Sequence, residues 1–224
     1  MKPVSNTFKL ILGLWLSIII VAGMLTPIPF IPGLGEAARN IFFHVPQSFT
    51  MLFIVLISFW QSIQYLRTKK IEYDMKASAS ASVGMLFGIL TIITGAVWAD
   101  FTWGTYWNWD PRQTTFLGLL LIYSAYFVLR TSVDDPQKKA VLSAAYNLFA
   151  FASLPFLMFI IPRLLPGLHP GAPEEGGSNN PMVSGVDSTI RIIMYSSVIG
   201  FCMLSYWIYN LKVRLAILEE KINS

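Results

Sequence analysis

Val83-Gly-Met-Leu-Phe-Gly-Ile-Leu-Thr-Ile-Ile-Thr-Gly-Ala-Val-Trp-Ala99 runs for seventeen residues without a charge and without alternation of apolar and polar side chains. As a helix it is about 25 Å long, close to the thickness of a bilayer's hydrocarbon core. Lipid offers the backbone no hydrogen-bond partners, so only helices and closed barrels cross it. The missing period-two pattern selects the helix. Five further runs read the same way, giving six spans at Phe8–Leu25, Val45–Leu66, Val83–Ala99, Thr114–Leu129, Val141–Ile161 and Ile190–Leu211. The fold class that follows is all-α, a single six-helix polytopic membrane domain over residues 1–224.

Composition agrees. The chain is 54% hydrophobic and 12% charged, whereas soluble domains carry about 25% charged residues. The first run follows Lys2 and Lys9 as a signal peptide would, but leads into Thr26-Pro-Ile-Pro-Phe30 rather than a small-x-small cleavage site. It reads as a retained first helix, with a cleaved signal as the minor alternative. Cys202 is the single cysteine, which excludes an intrachain disulfide and a CxxC redox pair. Small residues at Ser80, Gly84 and Gly88, beside Ala77 and Ala81, have the spacing by which membrane helices approach closely.

The connections alternate in charge. Twelve of the sixteen basic residues lie at the N-terminus, in Arg67–Lys76, in Arg130–Lys139 or in the tail from Lys212, while the acidic residues divide evenly. The positive-inside rule then places both termini in the cytoplasm. Three segments face the other side: 26–44, 100–113 and 162–189, the last expected to be an ordered loop over the bundle or a lid. The remaining basic residues, Arg39, Arg112, Arg163 and Arg191, lie near that face. No basic patch interleaved with exposed aromatics suggests a nucleic-acid partner. No P-loop or dinucleotide fingerprint suggests a nucleotide site.

That external face gathers the residues with chemistry. The only histidines, His44 and His169, are 125 positions apart yet both map to it. Four of the seven tryptophans fall between Trp98 and Trp109 on the same side. A lone histidine near a helix end is usually an interfacial polar residue, and tryptophans usually form an anchoring belt. A belt, however, spreads over several helices and both interfaces. Two imidazoles converging from different segments, walled by aromatics and ringed by arginines, suit haem, whose iron takes axial imidazoles and whose propionates pair with guanidinium groups. A structural zinc site needs four ligands, mostly Cys and His, which this chain lacks unless carboxylates complete a mixed site. Asp110-Pro111-Arg112-Gln113 also has the form of a helix start, with Asp at the N-cap, Pro first and Gln third.

The stretch Trp103-Gly-Thr-Tyr-Trp107-Asn-Trp109-Asp110-Pro-Arg112 resembles the WWD signature of the haem-handling proteins of cytochrome c biogenesis. Glu36-Ala-Ala-Arg39-Asn-Ile-Phe-Phe-His44-Val-Pro46 resembles the segment that bears their first external histidine. Length, six helices and two external histidines are similar to the small branch, the cytochrome c maturation protein C family. The resemblance implies haem b held at the external face, with His44 and His169 as axial ligands to the iron; His169 is matched by topology. Trp103, Trp107, Trp109 and Asp110 belong to the motif, and Arg39 and Arg112 join the expected haem-binding set. It further implies a bacterial cytoplasmic (inner) membrane location, with the haem site on the periplasmic side. Haem would pass to a periplasmic haem chaperone, with an ATP-binding-cassette complex and a small single-span subunit as partners. The implied role is haem transfer and assembly rather than enzymatic turnover, with covalent attachment of haem to the chaperone as the reaction it would promote.

Three rivals remain in view. The haem-handling subunit of the other cytochrome c biogenesis system usually carries histidines within its membrane helices. A haem b electron-transfer subunit generally buries its ligands inside the bundle. A plain transporter would show polar or broken helices at the midplane, where only Asn147 and Pro155 offer hints, more simply read as packing and a kink.

Overall fold

The computed structural model describes residues 1–31, 34–169 and 186–223. Among these, six helical segments are long and apolar enough to cross a membrane. They comprise α1 (Asn6–Leu25), α2 (Ile41–Thr68) with a leading 3-10 turn (Gly35–Asn40), α3 (Ile71–Trp103), α4 (Pro111–Thr131), a fifth broken segment, and α7 (Ser188–Asn223). The fifth joins α5 (Pro136–Pro155), a π turn (Phe156–Ile160) and the short α6 (Ile161–Leu164).

The helix ends follow local chemistry. Ser5 caps α1 by accepting from the Phe8 amide, and Asp135 caps α5 ahead of Pro136. Lys69 (φ 59°) and Gly104 (φ 77°) take the left-handed conformation that closes α2 and α3. Pro155 stands where α5 gives way to the π turn, so the broken segment has a residue that cannot donate to the helical ladder at its junction.

Helices overrun the apolar stretches from which they are recognised. α3 starts twelve residues before Val83, because its polar first turns find partners. Glu72 pairs with Lys76 at 2.6 Å. Asp74, almost buried, receives both arms of the Arg130 guanidinium at 2.6 and 2.9 Å. At the far end α3 continues to Trp103, and α4 begins at Pro111, so the segment expected at 100–113 narrows to 104–110. The 26–44 segment contains the 3-10 turn and the first residues of α2, including His44. Residues 170–185 of the 162–189 segment, on which the expectation of an ordered loop or lid rests, lie outside the described residues.

α2 and α3 form the centre of the bundle, against which α4, α5 and α7 pack around Met51, Ile54, Val55, Val83, Phe87, Leu119 and Tyr123. The small-residue stripe on α3 permits this. A Cβ on Gly84 would stand 2.5 Å from Val55 Cγ1, and one on Gly88 would stand 2.5 Å from Leu120 Cδ2. Asn147 is wholly buried and donates to Ser58 and Ser62 at 2.7 and 2.8 Å, joining α5 to α2. α1 lies outermost and antiparallel to α7: Trp15 donates to the Ser196 carbonyl at 2.9 Å, and Asn210 donates to the Lys2 carbonyl at 3.0 Å. The two termini therefore share one end of the bundle. His44 and the tryptophan segment occupy the other.

Candidate functional site

α2 presents His44 one turn from its start, against the last turns of α3. The imidazole Nδ1 lies 3.0 Å from the Thr94 hydroxyl. The ring meets Trp98 edge-on, with centroids 5.8 Å apart. Gly95 supplies the room, since a Cβ there would stand 2.7 Å from His44 Cε1. Asn40, one turn before His44, donates to the Thr94 carbonyl at 3.0 Å. The Trp98 indole nitrogen is buried and has no hydrogen-bond partner among the described residues.

His169 arrives from the segment after α6. Its Nδ1 lies 2.6 Å from Asp110 Oδ1, and its ring meets Trp103 edge-on at 4.9 Å. The Leu168 amide donates to Asp110 Oδ2 at 2.7 Å. Gly167 again makes the space, because a Cβ there would stand 2.7 Å from Asp110 Oδ2. Asp110 also performs the capping role legible in its sequence context, accepting from the Arg112 amide at 2.8 Å. One carboxylate thus starts α4 and holds down the His169 segment.

Burial alone would raise the pKa of Asp110. The hydrogen bond from His169, the charge of that ring when protonated, and the Leu168 and Arg112 amides outweigh this, and hold the carboxyl well below the usual carboxylate range. An ionised carboxylate only accepts, so His169 donates through Nδ1, and in the neutral ring the lone pair is on Nε2.

The remaining expected residues are spread around this pair. Trp107 and Trp109 meet edge-on at 5.9 Å, and Trp109, at φ 57°, is largely exposed. Gln113 accepts from the Asn108 amide at 3.0 Å and so pins the segment between them. Arg112 lies within electrostatic reach of Asp110 and Arg163. Arg39 is engaged elsewhere: it pairs with Glu36 and donates to the Gly23 and Thr26 carbonyls, tying the end of α1 to the 3-10 turn. Arg191 sits in the first turn of α7. No cluster of three or more His, Cys, Asp or Glu side chains that could hold a bare metal ion occurs among the described residues. Thr94, Gly95, Trp98 and Gly167 are the participants that sequence reasoning did not single out as site residues. The available signal was positional: Thr94 and Trp98 are one helical turn apart at the outer end of the third apolar run.

The sequence matches the family described as CcmC, heme exporter protein C, over residues 3–224. Individual relatives agree. A heme exporter protein C of Paracoccus denitrificans is 29% identical over 91% of this chain and 82% of its own length. One from Bradyrhizobium diazoefficiens is 28% identical over 85% and 70%, and one from Escherichia coli K12 is 26% identical over 84% and 74%. The match covers all six membrane-crossing helices, both histidines and the tryptophan segment, and the chain belongs to the heme exporter protein C family.

Proposed function

We propose that this chain holds haem b as cargo between His44 and His169, and presents it for transfer to a haem chaperone during cytochrome c maturation. The observation that carries the reading is the placement of two histidines from distant segments at one end of the bundle, each flanked by a tryptophan and each with Nδ1 already engaged. Engaging Nδ1 leaves Nε2 as the ligating nitrogen, the arrangement by which proteins orient metal-bound imidazoles.

The neighbouring groups fit the same guest. Trp103, Trp107 and Trp109 offer apolar aromatic surface for a porphyrin. Arg112 and Arg163 place two guanidinium groups at this end of the bundle, of the type that pairs with propionates. Asp110 acts in this scheme through His169 rather than on the haem. Arg39 serves as a strut for the His44 end.

The basic-residue asymmetry supports a bacterial inner-membrane orientation with this end facing the periplasm. In that orientation the chaperone approaches the tryptophan end, while the ATP-binding-cassette complex and the small single-span subunit complete the export system. The chain's contribution is binding and handover, including promotion of haem attachment to the chaperone. Reporter fusions after Lys70 and Lys139 should read cytoplasmic and one at Gly104 periplasmic; an external signal at Lys139 defeats the orientation.

The decisive experiment is the absorption spectrum of the purified protein. A bis-imidazole iron is six-coordinate and low-spin. His44→Ala and His169→Ala should each shift it toward five-coordinate and high-spin, and free imidazole should restore it. A His169→Ala protein with unchanged spectrum, haem content and transfer would refute the shared-iron reading.

A further inference from the structure

We infer that the two axial histidines are unequal ligands, and that Thr94, outside the tryptophan motif, is the positioning residue that makes His44 the weaker of the two. The inference deepens the haem reading and rests on it.

The hydroxyl of Thr94 has one proton and several neighbours. It lies 2.8 Å from the Leu90 carbonyl, 3.2 Å from the Thr91 carbonyl and 3.3 Å from Gln47 Oε1. None of these oxygens can donate, and a proton turned to His44 instead would set the hydroxyl's lone pairs against the Leu90 and Thr91 carbonyls, so the proton goes to a carbonyl, with Leu90 nearest. The hydroxyl's lone pairs then face His44 Nδ1 at 3.0 Å, and the ring nitrogen is the donor. His44 is thereby held as the Nδ1–H tautomer, which puts the ring's lone pair on Nε2. The bond from Asn40 of α2 to the Thr94 carbonyl ties the backbone here to α2, and the Leu90 carbonyl holds the hydroxyl's rotamer. The ring cannot slide, because Gly95 and Trp98 bound it.

His169 has the same tautomer from a different partner. Its acceptor is a nearly buried carboxylate, which pulls the Nδ1 proton and pushes electron density toward Nε2. A neutral hydroxyl polarises the ring far less. The iron therefore sees a strong donor from the loop and a weaker one from the helix.

The test starts with haem-free protein. With only two histidines, uniform 15N-histidine labelling in detergent at pH 8 gives two assignable imidazoles, identified through His44→Gln and His169→Gln. Both rings should carry the proton on Nδ1. Thr94→Val and Thr94→Ala should turn the His44 signals into a tautomer mixture and leave His169 unmoved, while Thr94→Ser retains the wild-type pattern. The second arm uses ferrous haem-loaded protein and resonance Raman. The iron–histidine stretch of His44→Gly, which retains His169, should lie at higher frequency than that of His169→Gly. Adding Thr94→Val to His169→Gly should lower it further, and Thr94→Ser should not. Equal frequencies in the two single variants, or a His44 tautomer indifferent to Thr94, overturn the inference. A protein that takes up no haem, or stays six-coordinate without either histidine, overturns the haem reading instead. The tautomer arm still reports on Thr94 in that case.

Discussion

His44 and His169 reach the same end of the bundle by opposite constructions. His44 stands on α2 and is gripped by three residues of α3 within one turn: Thr94, Gly95 and Trp98. Its place is decided when the two central helices pack. His169 stands on a non-helical segment, and what holds it is Asp110, with Trp103 against the ring. One seat is a consequence of the core; the other is a clasp added to it. A seat of the first kind forms with the fold, whereas a seat of the second kind closes and opens on a few hydrogen bonds.

Breaking the clasp should have the largest effect. Asp110→Ala removes a helix cap and orphans the Leu168 amide and the His169 Nδ1, a loss of about 2–4 kcal/mol to that seat. The haem spectrum should become five-coordinate and respond to added imidazole, with His44 still bound. Loss of both ligands at once would show that the seats are not separate. Gly95→Ala is the counterpart on the helical side. The new methyl collides with the His44 ring at a cost of about 1–3 kcal/mol, and the residual ligand should be His169. If instead Gly95→Ala leaves the spectrum intact, the helical seat is softer than its packing indicates.

The aromatic contacts sharpen the comparison at lower energy. Trp103→Ala should weaken the His169 side and Trp98→Ala the His44 side, each by about 0.5–1.5 kcal/mol, with Phe milder at both positions. Membrane insertion should survive all four variants. The smallest effect is on pH. Asp110 has a folded pKa below its unfolded value, so its contribution is fully present above about pH 4 and fades as pH falls through the folded pKa. In haem-free protein, protease access to the His169 segment should therefore rise only under strong acid. Loosening near neutral pH would mean that some other group holds the clasp.

These seats also separate what the sequence declares from what it conceals. Six spans are legible because lipid demands long apolar runs, and Val83–Ala99 satisfies that demand by itself. Their ends are not, since Asp74 extends α3 only by virtue of Arg130, fifty-six positions away. Asp110 is legible as a cap, because the cap is made with its own neighbours. Its hold on His169 depends on a contact across fifty-nine positions. Thr94 and Gly95 are the hardest to find: small neutral residues inside an apolar run look like packing, and their role appears only in the register of α2 against α3. Gly167 is hidden likewise in a segment already rich in Pro and Gly.

α3 is a rod of 33 residues, about 50 Å, with no proline along it. Near one end Asp74 is bolted to Arg130. Toward the other, Thr94, Gly95 and Trp98 bear on one histidine, and Trp103 bears on the second. Such a rod acts as a common axle. A small rotation applied near its Asp74 end would be delivered to both imidazoles together, because one unbroken helix bears on both.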